Sequence, residues 1–251
     1  YLSLPTLWAE RWIYPRVNEL TAITPRLTKY AIRMGAHKKT TSYLPSGADR
    51  DLFFATTKNK QLMNKLGLKS TDTVLLFAGT LFNFSGLDIL TSHLGQNPHL
   101  YSNYKLVIVG HGVQEQKLKK IISRYHLEKK VIMTGFVEYT QLNKYINLAD
   151  VCINPFLINK TTDIIFPGKI YQYLACGKPV VASPLRGVVD IFPFNNKVGI
   201  FYAHATDPEK TMKTIKKALK TKVCDTNPYL QEISLTLEKK LALLVAKTQK
   251  L

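Results

Sequence analysis

The chain has 251 residues, 45% hydrophobic and 10% aromatic, enough for one large or two small domains with a sizeable core. It contains no run of 18 apolar residues, which excludes a membrane-spanning helix. Against 35 Lys and Arg stand only 17 Asp and Glu, a formal net charge of +18. Such a surface attracts polyanions: anionic lipid headgroups, nucleic acid or a phosphorylated substrate.

In chain order, residues 1–20 carry Trp8, Trp12, Ile13, Tyr14 and Leu20 in an expected helix. The chain begins at Tyr1 rather than Met and shows no signal peptide, so its start reads as truncated or processed. A strand-like stretch at 21–24 precedes Pro25, and a helix runs to about Gly35. SYLPSGAD (42–49) is a turn-rich connection. Five short apolar runs follow, at 73–78, 104–109, 131–134, 151–156 and 179–183, the first three ending at Gly79, Gly110 and Gly135. Helical patterns fall between them, near 86–94, 114–125, 140–148 and 167–176. Apolar strands alternating with helices predict a parallel sheet covered on both faces. Ligands bind such sheets at the carboxyl edge, where the three glycines lie. The last segment, 229–251, reads as a long helix with Leu237, Leu241, Leu244 and Val245 on one side.

The basic residues fall on outer helix faces. Lys210, Lys213, Lys217 and Lys220 lie opposite Met212, Ile215 and Leu219, and Lys117, Lys120 and Arg124 opposite Leu118, Ile121, Ile122 and Tyr125. These read as solvated faces of amphipathic helices, with weak attraction to an anionic membrane surface. No RNA-binding aromatic signature, zinc spacing or basic zipper appears, so no specific nucleic-acid partner is expected. Cys152, Cys176 and Cys224 lack metal spacing; Cys152 and Cys176 fall in buried elements, and a reducing, cytoplasmic setting fits.

The stretch FPGKIYQYLACGKPVVAS (166–183) carries the chemistry. Pro167 suits the first position of a helix, leaving the N–H groups of Gly168, Lys169 and Ile170 unpaired in its first turn. Free donors, the helix dipole and the Lys169 charge together attract an anion. Gly177 stops the helix, and Val180, Val181 and Ala182 form a buried strand. The pattern describes a seat for a nucleotide diphosphate; it equally describes a generic helix–strand unit of an α/β domain. Asp49-Arg50-Asp51 spells a metal-binding DxD but sits in a turn, where Asp serves backbone N–H groups. Gly110-His111-Gly112 begins like a dinucleotide fingerprint but has Glu115 in place of the third glycine.

The order of these motifs resembles the carboxy-terminal, donor-binding half of a two-Rossmann (GT-B) glycosyltransferase. More narrowly, it is similar to the retaining glycosyltransferase family four, the glycosyl transferases group one. ITPRLTKYAIRMGA (23–36) matches the end of the amino-terminal domain, and YLPSGADRDLF (43–53) the interdomain connection. LLFAGTLFNFSGLDIL (75–90), LVIVGHG (106–112), VIMTGFVEYTQLNKYINLADVCINP (131–155) and FPGKIYQYLACGKPVVAS follow in family order.

The resemblance implies a Rossmann-like parallel sheet with helices on both faces, plus remnants of the amino-terminal domain. Residues 1–39 would be the remnant of the acceptor domain, 40–228 the nucleotide-sugar-binding domain, and 229–251 a helix crossing back towards the acceptor domain. The base would lie against Gly135, Phe136 and Val137, with Leu142 nearby. The diphosphate would sit at Gly168, Lys169 and Ile170, beside Gly79 and Thr80, and the ribose would approach Gln172. Loop 157–166 would face the transferred sugar. The family's diphosphate-binding Arg and Lys correspond here to Thr80 and Ser85, and its paired glutamates to Ile164 and Gln172. The implied activity is transfer of a sugar from a nucleotide diphosphate sugar with retention, hexosyltransferase-like, without a metal or other cofactor. Cell-surface polysaccharide or glycolipid synthesis, with a glycan or glycolipid acceptor, is the expected setting, in the cytoplasm or peripherally on the inner membrane face. Because the acceptor domain would be largely missing, the chain is expected to be an incomplete enzyme, with its catalytic groups on that side unnamed. The alternative, motivated by the four departures, is a non-catalytic GT-B-like subunit that assists a partner. A nucleic-acid binder, a GT-B epimerase and a phosphorylase are lesser alternatives.

Overall fold

The computed structural model describes residues 4–194, 197–221 and 223, together with Glu238, Lys239, Leu241, Ala242 and Val245. Its amino-terminal part opens with α1 (Leu4–Ile13) and a 3-10 turn at Tyr14–Arg16. Two short parallel strands follow, β1 (Leu20–Ala22) and β2 (Thr41–Tyr43), joined through α2 (Pro25–Arg33). Thr24 caps α2, its Oγ1 accepting from the Leu27 N–H at 3.0 Å, and Pro25 fills the first turn, where no N–H is needed.

Beyond α3 (Lys60–Lys65) the chain builds a six-stranded parallel sheet. Its strands are β3 (Thr73–Ala78), β4 (Tyr104–Val109), β5 (Val131–Gly135), β6 (Val151–Asn154), β7 (Val180–Ala182) and β8 (Ile200–Tyr202). Their order in space is β5-β4-β3-β6-β7-β8. The chain therefore winds outward from β3 in one direction, returns, and winds outward from β6 in the other. Right-handed crossovers then place α4 (Leu87–Gln96) and α5 (Glu115–Arg124) on one face of the sheet. By the same rule α6 (Leu142–Ile146), α7 (Lys169–Ala175) and α8 (Arg186–Val189) lie on the other. The last described helix, α9 (Pro208–Ala218), packs on β7, β8 and α4.

The central strands are apolar along their length because both faces are covered. Leu75, Leu76, Phe77, Leu106, Val107, Ile108, Cys152 and Ile153 are fully buried. The strands expected at 73–78 and 104–109 match to the residue, and the other three shorten or lengthen by one or two positions. β8 was not expected. Residues 198–203 offer only three strand positions, next to a glycine at the start of the run rather than at its end. The connection 50–58 is pinned to α6 by Asn147, whose Nδ2 donates to the Phe54 carbonyl at 3.0 Å and whose Oδ1 accepts from the Thr56 N–H at 2.9 Å. Of the expected helix at 229–251, the five described residues are helical; the rest of that expectation, and Cys224, lie outside the described residues.

Candidate functional site

Strand order reverses between β3 and β6, and the crevice above such a point is where open parallel sheets take ligands. Gly79 and Lys169, two of the residues expected to bind, meet there. Gly79 follows the last residue of β3, and α7, which follows β6, begins at Lys169 with Gly168 as its cap.

Gly79, Gly110 and Gly135 close the carboxyl edge of three adjacent strands. The Gly79 N–H donates to the Val109 carbonyl and the Gly110 N–H to the Gly135 carbonyl, both at 2.8 Å. Gly79 has φ +135° and Gly110 φ +124°, and a Cβ on Gly110 would collide with the Gly79 carbonyl oxygen. Only glycine lets these turns meet, so the rim stays low and the backbone itself faces the crevice.

At α7 the structure corrects one detail. The helix begins at Lys169 with Gly168 as its cap residue, two positions later than Pro167 implied. Its first turn is tight: the Ile170 N–H donates to the Pro167 carbonyl and the Tyr171 N–H to the Gly168 carbonyl, both at 3.0 Å. Ile170 is thus not a free donor, and its side chain is fully buried in the core. The N–H groups of Gly168 and Lys169 make no hydrogen bond among the described residues, and Gly168 is exposed.

Lys169 reaches back under the glycine rim. Its Nζ lies 3.8 Å from the ring centre of Phe77 and 5.0 Å from that of Phe156, and a Cβ on Gly79 would lie 2.6 Å from it. The ring faces attract the cation, but no carboxylate pairs with it among the described residues. Burial therefore pushes its pKa down from 10.5 to about 7. Such an amine, without a protein anion, is poised to take one from a ligand.

The remaining expected residues lie on the same edge of the sheet. Thr80 is exposed beside Gly79, and Phe136 is exposed on the loop after β5. His111 faces Phe136, their ring centres 6.0 Å apart. Val137 and Leu142 pack partly buried against the core. Gln172 donates from Nε2 to the Tyr139 hydroxyl at 3.2 Å, which ties α7 to the turn after β5. Ser85 is fully buried, its hydroxyl unpartnered among the described residues. Asp163, one residue from a family glutamate position, is committed to the Arg186 N–H at 2.9 Å and to the Arg186 side chain. Asp49 serves its turn, accepting from the Asp51 N–H at 2.9 Å. No group of three His, Cys, Asp or Glu among the described residues is placed to hold a metal ion. Sequence reasoning missed Phe77 and Phe156 as the cradle of Lys169, and missed Asn154 and Ser183. The latter two are fully buried at the ends of β6 and β7, with side chains unpartnered among the described residues. Nothing in the sequence announces these contacts, because they depend on which strands are neighbours.

The model of the glycosyl transferases group 1 family matches residues 58–232. The chain belongs to that family. Among curated members it is 23% identical over 202 residues to the alpha-monoglucosyldiacylglycerol synthase of Acholeplasma laidlawii, covering 76% of this chain and 49% of the relative. It is 25% identical over 188 residues to the lipopolysaccharide 1,2-N-acetylglucosaminetransferase of Salmonella typhimurium, covering 72% and 48%. The chain thus spans about half the length of these group 1 relatives. In fold it matches sucrose-phosphate synthase from Thermosynechococcus elongatus with a TM-score of 0.73 at 17% identity, covering 98% of this chain and 61% of that one. It also matches Anabaena Alr3699/HepE, solved with UDP and glucose, with a TM-score of 0.72 at 18% identity, covering 97% and 67%. The parallel sheet and its helices are therefore those of the GT-B glycosyltransferases. Among the described residues no helix is long and apolar enough to cross a membrane.

Proposed function

We propose that this group 1 chain is the donor-binding half of a retaining, hexosyltransferase-like glycosyltransferase that uses a nucleotide diphosphate sugar. The observation that carries the reading is the Lys169 amine, desolvated under the Gly79 rim at the strand-order reversal, with two free backbone N–H groups beside it. Departure of the diphosphate builds negative charge on its oxygens. Lys169 and the N–H groups of Gly168 and Lys169 stabilise that charge, in the manner of an oxyanion site. The base lies along Gly135, Phe136 and Val137 towards Leu142, two strands away from Gly79 and roughly 10 Å across the sheet, a nucleoside's reach. Gln172 offers its amide to the ribose. Thr80 and the Gly79 backbone close the other side. Binding of UDP by a fold relative supports a nucleotide donor. Names such as diacylglycerol synthase and lipopolysaccharide transferase among the relatives support an acceptor of glycan or glycolipid type and a role in cell-surface polymer or glycolipid synthesis.

In this reading residues 1–39 belong to an acceptor domain, 40–228 to the donor domain, and 229–251 to a helix returning towards the former. The chain works in the cytoplasm, in peripheral contact with the membrane, without a metal and without a nucleic-acid partner. A second reading, a non-catalytic subunit of the same fold, is favoured by one observation. Neither family glutamate position carries a carboxylate, and the neighbouring Asp163 is spent on Arg186. Calorimetric titration with a panel of nucleotide diphosphate sugars separates the two. A working donor site binds at least one of them; a chain that binds none is the non-catalytic subunit.

A further inference from the structure

Away from the glycine rim, two segments distant in sequence face each other across a cleft of about 530 Å³. One wall is α2 and the residues after it, with Arg26, Lys29, Arg33 and Lys38; the other carries Arg186, the first residue of α8. Positions 26, 29 and 33 recur at helical spacing, so they form one stripe on α2. Ile32 and Ile164 supply the apolar part of the lining.

Several surface lysines sit beside a carboxylate. On α5 and α9 Lys119 pairs with Glu115, Lys213 with Glu209, and Lys117 with Asp88. In the cleft only the flanking arginines are paired, Arg26 with Asp190 at 2.7 Å and Arg186 with Asp163. The Arg26–Asp190 pair and the Thr24 hydroxyl, which donates to the Ile164 carbonyl at 2.8 Å, fix the walls against each other, and the Arg186–Asp163 pair braces the second wall internally. Lys29, Arg33 and Lys38 have no carboxylate partner among the described residues. The three cations without a carboxylate partner repel each other across one concavity unless an anion enters, and guanidinium groups favour phosphate, which they bind in a bidentate fashion. The concavity has the volume of a small-molecule site. Its lining residue Ile164 precedes Phe166, Pro167, Gly168 and Lys169 in the chain, which ties the cleft in sequence to the candidate transfer centre.

We infer that this cleft binds a phosphate ester carried by the sugar acceptor. The word acceptor rests on the glycosyltransferase reading; the phosphate site itself does not. The phosphate comes either from a water-soluble sugar phosphate or from a lipid-borne phosphate, and the two share the recognition chemistry.

The test titrates the 251-residue chain with inorganic phosphate, and with dodecyl phosphate below its micellar concentration. It compares the parent with Lys29→Ser/Arg33→Ser/Lys38→Ser, with the charge-keeping Lys29→Arg/Arg33→Lys/Lys38→Arg, and with Lys169→Ala. The neutral triple is expected to bind phosphate about tenfold more weakly or worse, the scale of one lost charge-assisted bond. The charge-keeping triple, which reports on folding as well, is expected to stay within roughly threefold, since lysine and arginine differ in fork geometry but not in charge. Lys169→Ala is expected to bind phosphate in the cleft as the parent does. Tighter binding of dodecyl phosphate supports a lipid-borne acceptor, and equal binding a soluble one. Phosphate binding that survives the neutral triple but is lost in Lys169→Ala overturns the proposal while leaving the donor site standing. If the neutral triple loses only its attachment to phosphatidylcholine/phosphatidylglycerol vesicles, the face is a membrane-docking surface and the proposal is also overturned. A cleft that binds phosphate in a chain that binds no nucleotide keeps its site and loses the acceptor role.

Discussion

Lys169 sets the pH behaviour of the candidate site. Its ordinary pKa of 10.5 falls to about 7 in the folded chain because the amine is desolvated. The unfolded chain therefore holds this proton up to higher pH than the folded one does. Between about pH 7 and 10.5 this group's contribution to stability rises with pH, as linkage requires when the unfolded state binds more protons. A bound diphosphate reverses the preference by supplying the missing anion. Binding above pH 7 must then take up a proton, and affinity falls with rising pH by up to about tenfold per unit. Calorimetry at about pH 8.5 in buffers of different ionisation enthalpy should show an uptake approaching one proton, absent in Lys169→Ala. Uptake unchanged by that substitution would place the titrating group elsewhere. Removing the Lys169 charge should cost about 1.5–3 kcal/mol of diphosphate binding, against about 0.5–1.5 for the neutral Gln172→Ala. The lysine effect should shrink at high salt, because screening acts on charge. Lys169 was legible in the sequence as a charge at a helix start. Its depressed pKa was not, because Phe77 reaches it from β3 and Phe156 from the loop after β6.

At the scale of the elements, α2 and α7 depend on a few contacts that can be removed singly. The Thr24 hydroxyl both caps α2 and holds the Ile164 carbonyl, so Thr24→Ala loses two bonds at once. It should destabilise the chain by about 1–2 kcal/mol in urea unfolding, where replacing an ordinary surface threonine does almost nothing. Phe77 is fully buried beneath the Lys169 amine. Phe77→Ala should cost about 3–5 kcal/mol, and it should also raise the Lys169 pKa by admitting water. β3 and β4 could be read to the residue, because a continuous apolar run ending in glycine admits one interpretation. β8 could not, being three residues long, and α7 started late because its first turn closed in the tighter 3-10 pattern. Strand order was beyond reach for a different reason: a crossover of given length leads equally well to either side of a parallel sheet. The crevice between β3 and β6, and the buried Asn154 and Ser183 beside it, follow only from that order.

For the whole molecule, α1 presents Leu4, Trp8 and Trp12 to solvent, with Trp8 77% and Trp12 63% exposed. Apolar surface of this kind marks an interface. The isolated chain should self-associate in light scattering, and Trp8→Gln/Trp12→Gln should reduce that without changing thermal stability. If the variant associates as the parent does, α1 is not the sticky surface. The large sheet, by contrast, is a finished body, its apolar strands covered on both faces and its ligand edge lined by backbone. The central property proposed for it is recognition of a diphosphate rather than of a nucleotide in general. The most direct measurement is the affinity of the chain for a nucleoside diphosphate against the matching monophosphate, in the parent and in Lys169→Ala. The parent should prefer the diphosphate by about tenfold or more, the scale of one charge-assisted bond, and the preference should collapse in the variant. Equal affinity for both ligands in the parent, or a preference that Lys169→Ala leaves intact, would contradict the account.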